Sequence, residues 1–475
     1  MHRGQGCIIE GVTAAPVPLP VRAELFGPSR RATTTGLVLL ISLVAFEAMG
    51  VGTAMPALVA DLGAISLYAW PFVSFMAAAV FGTVLCGKWC DRVGPRVPLI
   101  GTPVLFGLGL IVAGTSDSMT QLLVGRVLQG LSAGALTVAA YVLIAVIYPE
   151  RARPAVFGLL SSAWVLPTLI GPPVAGVVTE ALSWHWVFLG LVPIVALAVS
   201  LVVAAVRRLE PPPAASIPTP RRGVVLAALG AAVGVPALSW ASQHIGAPGT
   251  AVAGAAVLVL VPALRHLLPH GMFRARRGVP AVIASRGLLA GVFFTVNSYL
   301  PLMLNDTHGW SLTAAGMPLI AGSLGWSAAS AWQGRHPDLP RATLLRVGFC
   351  ALTLGTAGLL LVAPSWGSPW LAAPFWAIAG IGMGVGFSAV SYLLLQQSAI
   401  GSVGVNSSAA QIADQLTTAT MIGLGGALLA LLGSPATALP ILLAVLAVLA
   451  VSGVAIADRT TMAERDDHRT GSATR

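Results

Sequence analysis

Charge is what this chain has least of. Of 475 residues, 26 are Lys or Arg and 16 are Asp or Glu, so charged types make up 9%. A soluble globular domain carries about 25%, and the shortage excludes an ordinary soluble enzyme. Lysine is almost missing. Lys88 is the single one, and every other basic side chain is arginine. With the abundance of Ala, Gly, Val and Leu, that bias points to a high-GC bacterial source. Cysteine numbers four. Cys86 and Cys90 fall four apart, on one helix face where two thiols can touch, but no second pair completes a zinc set. No G-x-x-x-x-G-K-[ST] loop is present, so ATP is not the expected energy source. His244, His266, His270 and His308 are scattered and lack the neighbouring acids that an enzyme embedded in a membrane needs.

Apolar residues are what the chain has instead. Hydrophobic types make up 56%, with 53 glycines besides, and the mean hydropathy is +0.87. A bilayer-spanning helix takes roughly 20 mostly apolar residues, so this content suffices for about 13 to 15 spans. The runs are continuous rather than alternating, which excludes a β-barrel. Read against their breaks, they predict fourteen helices, near 36–57, 67–87, 97–115, 120–147, 154–179, 185–206, 223–242, 250–268, 280–304, 312–333, 342–363, 369–395, 407–432 and 437–457. Residues 1–33 lack the apolar core of a cleavable signal peptide, so the first run is expected to stay as a span.

The net charge of +10 would suggest nucleic acid as partner in a soluble chain. Here its distribution excludes that reading. With the N-terminus inside and fourteen crossings, 22 of the 26 basic residues fall in inner segments. The outer loops hold Asp61, Asp117, Glu180 and Asp306 and no Lys or Arg. That asymmetry is the positive-inside rule. The expected organisation is a cytoplasmic tail over 1–35, a six-helix bundle over 36–206 and a Pro-rich cytoplasmic linker over 207–222. Two additional helices and a basic loop follow over 223–279, then a second six-helix bundle over 280–457 and a cytoplasmic tail over 458–475. The linker reading rests on Pro211, Pro212, Pro213, Pro218 and Pro220.

Four motifs carry a more specific reading. After the second span comes Gly87-Lys88-Trp89-Cys90-Asp91-Arg92-Val93-Gly94-Pro95-Arg96, which resembles the G-x-L-a-D-r-x-G-r-r loop of the major facilitator superfamily. Gly87, Asp91, Arg92, Gly94 and Arg96 match, while Trp89, Cys90 and Pro95 depart. The resemblance implies that Asp91 braces the two halves, against the helix start near Asn406-Ser407-Ser408. In the fourth span, Arg126-Val127-Leu128-Gln129-Gly130 through Gly134 looks like the family's R-x-x-q-G-x-g-a-g. Arginine within a span is costly and rarely faces lipid, and Gly130 and Gly134 form a small-xxx-small packing face. The fifth span, with Gly171, Pro172 and Gly176, is similar to the g-x-x-x-G-P-x-x-G-G antiporter motif, although Pro167 and Ala175 replace glycines. A proline there bends the helix. Ser183-Trp184-His185-Trp186-Val187-Phe188 with Pro193 resembles the W-R-W-x-F…P entry of fourteen-span drug:proton antiporters, with His185 in the arginine position. Trp184 and Trp186 equally fit an interfacial aromatic belt.

The resemblance covers nearly the whole chain. It implies an all-α polytopic membrane protein with the major facilitator fold: two six-helix bundles plus two extra central helices. The implied function is secondary transport by alternating access, with the proton gradient as energy source and no cofactor. The expected activity is export of small lipophilic, neutral or cationic compounds from a bacterial cell (inner) membrane, by a monomer. A lipid or nutrient transporter of the same superfamily is the alternative. Subtracting topology markers leaves few charges for coupling chemistry. Glu47 lies roughly 16 Å along the first span from Gly36. An isolated carboxylate at that depth would take up protons near neutral pH. Asp414 in the thirteenth span is a second proton site or a substrate contact; Glu47 is expected to carry the coupled proton, with Asp414 and Arg126 tuning it or holding substrate. Arg286 is expected at the interface. From polarity and depth, Trp164, Phe293, Phe294, Asn297, Trp326 and Gln415 are cavity candidates.

Overall fold

A computed structural model describes residues 25–27, 30–149, 152–206, 223–244, 246–336, 338–398 and 402–461. The predicted linker and most of both predicted tails lie outside the described residues. The N-terminal half comprises α1 (Arg31–Asp61), α2 (Trp70–Val93), α3 (Arg96–Gly114), α4 (Met119–Ile147), α5 (Arg153–Ser162), α6 (Val165–Ala181), α7 (His185–Leu189) and α8 (Val192–Val206). A hairpin of α9 (Val224–Gln243) and α10 (Ala247–Leu267) follows. The C-terminal half comprises α11 (Val279–His308), α12 (Leu312–Gly334), α13 (Arg341–Gly358), α14 (Ala372–Gln397), α15 (Val403–Leu432) and α16 (Pro435–Ala457). Helix is the natural outcome for such runs, because only internal hydrogen bonds satisfy a backbone in lipid.

Twelve helical stretches are long and apolar enough to cross a membrane. Two of the predicted fourteen segments are not among them, for different reasons. The segment near 312–333 forms the 23-residue α12, uncharged but diluted by Gly, Ser and Trp. The segment near 154–179 is broken at Ala163-Trp164 into α5 and the 17-residue α6. Pro167 explains the break, since its ring clashes with the carbonyl four residues back, at Ala163. The sixth segment is interrupted the same way. Helix α7 ends at Leu189, four residues before Pro193, and α8 resumes at Val192.

The two halves repeat one pairing scheme. In the first, α1 packs on α6 and α8, α3 on α8, and α4 on both α2 and α3. In the second, α11 packs on α15 and α16, α13 on α16, and α14 on both α12 and α13. Counted by span, each half pairs its first helix with its fifth and sixth, its third with its sixth, and its fourth with its second and third. The halves meet where α2 packs on α15, α6 on α12, and α1 on α11. Helix α9 lies across this seam, against both α2 and α15.

Lipid provides no hydrophobic drive between helices, so close backbone approach must supply the packing. The small-xxx-small face of α4 does this. A methyl group at Gly130 would strike the Phe75 carbonyl, and one at Gly134 the Ala79 carbonyl. Gly82 of α2 is held equally tightly against the Leu131 carbonyl. The Cys86 and Cys90 thiols, both buried, are 3.8 Å apart.

Candidate functional site

The first cluster is in the N-terminal half and is sealed. Glu47 stands at the middle of the 31-residue α1 and is 0% exposed. It is not isolated, as the sequence suggested, because the Arg126 guanidinium of α4 donates to its Oε1. Arg126 therefore does not reach back to the interface and is 2% exposed. Its Nη1 also donates to Gln129 Oε1 at 2.7 Å, and its Nε donates to the Pro71 carbonyl at 3.0 Å. Its charged carbon sits 4.4 Å from the centre of the Phe75 ring, a cation–π distance. The R-x-x-q spacing of the fourth span places Arg126 and Gln129 one turn apart, so both address one point. Glu47 Oε2 and Gln129 Nε2 are buried without hydrogen-bond partners among the described residues.

The second cluster is in the C-terminal half and is more open. Arg286 does not stand alone. Its Nε donates to Asp414 Oδ2 at 2.9 Å, joining α11 to α15, and its guanidinium lies 4.5 Å from the Phe387 ring centre on α14. The two side chains are 19% and 18% exposed, against 3% and 0% for Arg126 and Glu47. Tyr141 of α4, in the other half, lies within electrostatic range of Arg286. Asp414 Oδ1 and the neighbouring Gln415 Oε1 are buried without hydrogen-bond partners among the described residues.

An aromatic stack adjoins the second pair. Phe293 stacks on Trp376 at 4.7 Å and meets Phe294 and Trp326 edge-on at 5.6 and 5.5 Å. Trp326 in turn meets Phe387 at 5.9 Å. Phe293 and Asn297 are buried, at 3% and 7% exposed, so they support the wall rather than line it. Phe294, Trp326, Trp164 and Gln415 are partly exposed. Sequence reasoning missed Phe387, Trp376, Phe75 and Tyr141. The signal for Phe387 was its place in the glycine-rich run of α14, where small neighbours leave an aromatic ring prominent.

Among the described residues, hydrogen bonds between the halves lie on the arginine-poor side of the bundle and at its middle. Tyr68, just before α2, donates its hydroxyl to the Ser298 carbonyl of α11 at 2.7 Å. Glu180 at the end of α6 accepts from the Thr313 backbone at 3.0 Å and from its hydroxyl at 2.6 Å. Ser323 of α12 donates to the Thr168 carbonyl of α6 at 3.0 Å. Gly176 closes this seam, since a methyl group there would lie 2.6 Å from Thr313 Cα. Pro172 lies under Gly316 in the same seam. Pro172 and Gly176 thus sit where α6 meets α12, while Gly171 faces Met49 and Gly50 of α1.

Two motif expectations resolve differently. Trp184 is not a belt residue. It is buried, stacks on His185 at 3.7 Å, and donates its indole N–H to Asp61 Oδ2 at 2.9 Å. Trp186 is 51% exposed, as a belt residue is. The Asp91 side chain lies outside the described residues. Asn406, its suggested counterpart, donates to Ser398 Oγ at 2.9 Å within its own half.

Comparison with known proteins agrees with this architecture. The family model described as Major Facilitator Superfamily matches residues 37–421. The chain is 27% identical over 418 residues to an MFS-type transporter of Mycobacterium tuberculosis, covering 83% of this chain and 59% of that protein. It is 27% identical over 374 residues to Multidrug resistance protein 3 of Bacillus subtilis, covering 76% and 72%. It is 25% identical over 394 residues to a multidrug transporter protein of the same bacterium, covering 79% and 71%. In fold it is similar to a crystal structure of a POT family transporter, with a TM-score of 0.66 and 16% identity over 90% of this chain and 97% of that one. The chain thus spans about three fifths of the length of the mycobacterial protein it matches. With the repeated pairing scheme and a family match over most of its length, the chain belongs to the major facilitator superfamily.

Proposed function

We propose that this protein is a secondary transporter that exports small lipophilic, neutral or cationic compounds in exchange for protons. On this reading it crosses a bacterial inner membrane fourteen times as a monomer, with both termini cytoplasmic. The observation that carries the reading is the sealed Glu47–Arg126–Gln129 cluster with its one unpartnered carboxylate oxygen. A charge at that depth is expensive and is retained where it has work to do. Protonation of Glu47 neutralises its hold on Arg126, while Gln129, Pro71 and Phe75 keep the guanidinium in place. The relation between α1 and α4 then depends on one proton, which is what coupling requires.

Asp414 serves as the second protonatable group or as the substrate's polar contact, beside an aromatic wall suited to flat apolar compounds. The named multidrug relatives support this substrate class. The gathering of inter-half contacts on the arginine-poor side corresponds to a state closed outward, one end point of alternating access.

Inverted membrane vesicles with an imposed pH gradient and a panel of dyes and antibiotics test the reading. Proton-dependent uptake is expected, and Glu47→Gln abolishes it. Full pH-dependent accumulation by Glu47→Gln overturns the proton role. Transport confined to lipids or nutrients overturns the drug-export reading.

A further inference from the structure

Away from both ion pairs, a groove of about 430 Å³ opens between the arginine-rich end of α2 and the first turn of α9. It is lined by Leu85, Lys88, Trp89 and Arg92 of α2 and by Val225 of α9. The spacing is informative. Leu85, Lys88, Trp89 and Arg92 stand at i, i+3, i+4 and i+7, a single helix face. Along that face the apolar Leu85 stands deepest, and Lys88, Trp89 and Arg92 follow toward the helix end at Val93. Leu85 is roughly 12 Å deeper than Val93 and Lys88 roughly 8 Å, at 1.5 Å per residue. With the long Lys88 side chain extending outward beside Arg92, the face matches a phospholipid in cross-section, with acyl chain inward at Leu85, glycerol beside Trp89 and phosphate outermost.

The groove has a structural cause. At the far end, α9 is fastened to the seam. Trp70 donates its indole N–H to Gln243 Oε1 at 3.0 Å, and Ser239 packs against Gly423. At the arginine-rich end no described side chain fills the space between α9 and α2. Trp89 and Leu85 are left 37% and 43% exposed there. Lys88, the chain's single lysine, and Arg92 carry no hydrogen bond or ion pair with any side chain among the described residues. Both can extend along the groove wall and place their charges at the membrane surface.

We infer that this groove binds an anionic phospholipid, with the phosphate between Lys88 and Arg92, the glycerol region against Trp89, and an acyl chain along Leu85 and Val225. Charge selects the occupant. Two free cations and no described acid line the site, so a zwitterionic lipid gains little from it. The position selects a function. A lipid seated here wedges α9 from α2 at one end while Trp70 and Gln243 hold the other, so it favours the splayed arrangement of the seam on this side.

The test uses the purified full chain in phosphatidylcholine nanodiscs containing either brominated phosphatidylglycerol or brominated phosphatidylcholine. Bromine quenches tryptophan at short range, and the difference between the wild type and Trp89→Phe isolates Trp89. Two cations, each worth about fivefold near a membrane surface, predict quenching at about 30-fold lower mole fraction of the anionic lipid. Lys88→Gln with Arg92→Gln removes that preference, Lys88→Arg retains it, and 0.5 M salt weakens it. Equal quenching by both lipids overturns the proposal, as does a preference that survives the double glutamine variant. Loss of the preference on adding millimolar inorganic phosphate overturns the lipid assignment in favour of a free phosphate site. The readout needs no transport, so its failure is distinguishable from failure of the export reading.

Discussion

Removing either partner of the Glu47–Arg126 pair should destabilise the protein, and by unequal amounts. Breaking a fully buried ion pair costs about 3–5 kcal/mol, because the remaining charge is left uncompensated. The geometry ranks the two changes within that range. Glu47→Gln leaves Arg126 with Gln129, the Pro71 carbonyl and the Phe75 ring, so its cost falls near the lower end, about 3 kcal/mol. Arg126→Gln leaves Glu47 with no hydrogen-bond donor among the described residues, so its cost falls near the upper end, about 5 kcal/mol. The double variant places two neutral amides side by side and should cost about 4 kcal/mol, well short of additivity. Unfolding in mixed detergent micelles, with a double-mutant cycle, reads all three. The reasoning is refuted by a coupling energy below about 0.6 kcal/mol, the average of an ordinary interhelical hydrogen bond in a membrane. It is equally refuted if Glu47→Gln proves the costlier single change.

Four further outcomes follow from the same geometry. The Arg286–Asp414 pair is only partly buried, so the coupling measured for Arg286→Gln with Asp414→Asn should be about 1 kcal/mol, smaller than that of the sealed pair. Gly130→Ala presses a methyl group on the Phe75 carbonyl and should destabilise by about 1–3 kcal/mol in the same assay, whereas Gly404→Ala, which meets nothing, should not. Partial burial pushes the exposed Glu180 carboxyl up, but hydrogen bonds from the Thr313 hydroxyl and backbone outweigh it and hold the group below its ordinary range. Such a group stabilises above its unfolded value, about 4.3, and loses that contribution as pH falls through the lower folded value. Spin labels on α6 and α12 should therefore report a constant separation from pH 8 to 5 and a widening below about pH 4, absent in Glu180→Gln. Gly176→Val, which drives a side chain into the Thr313 backbone, should widen the same separation at every pH.

The helices were legible because lipid makes the hydrophobic run and the helix nearly the same thing. What periodicity did not show was interruption. Pro167 and Pro193 each break a segment that reads as continuous, since the clash falls four residues upstream of the proline and leaves no apolar gap. The charged candidates were legible by scarcity: Glu47, Arg126, Asp414 and Arg286 stand out against runs of Leu and Ala. Their pairings were not, because Glu47 and Arg126 are 79 residues apart and Arg286 and Asp414 are 128 apart. No local spacing rule reaches so far. Trp184 shows the same limit from the other side. An aromatic residue at a helix entry fits an interfacial belt, and only its partner Asp61, 123 residues away, makes it a buried hydrogen-bonded strut.

The two ion pairs differ in what can change them. The Glu47–Arg126 pair is enclosed within one half, between α1 and α4, so rocking of the halves leaves its partners in place. Only a proton or a shift within that half alters it. The Arg286–Asp414 pair joins α11 to α15 and feels Tyr141 of the opposite half, so rocking changes its surroundings directly. A charge that faces the other half suits substrate gating, and one sealed within a half suits proton coupling, where protonation shifts the packing of α1, which itself meets α11 of the other half, and so biases the rocking. This division makes a sharper demand than either assignment alone. Substitution of Asp414 should change which compounds are carried, whereas substitution of Glu47 should change the proton dependence for all of them alike. A Glu47→Asp variant whose losses vary from compound to compound would refute the division, because a sealed carboxylate has no surface on which to tell compounds apart.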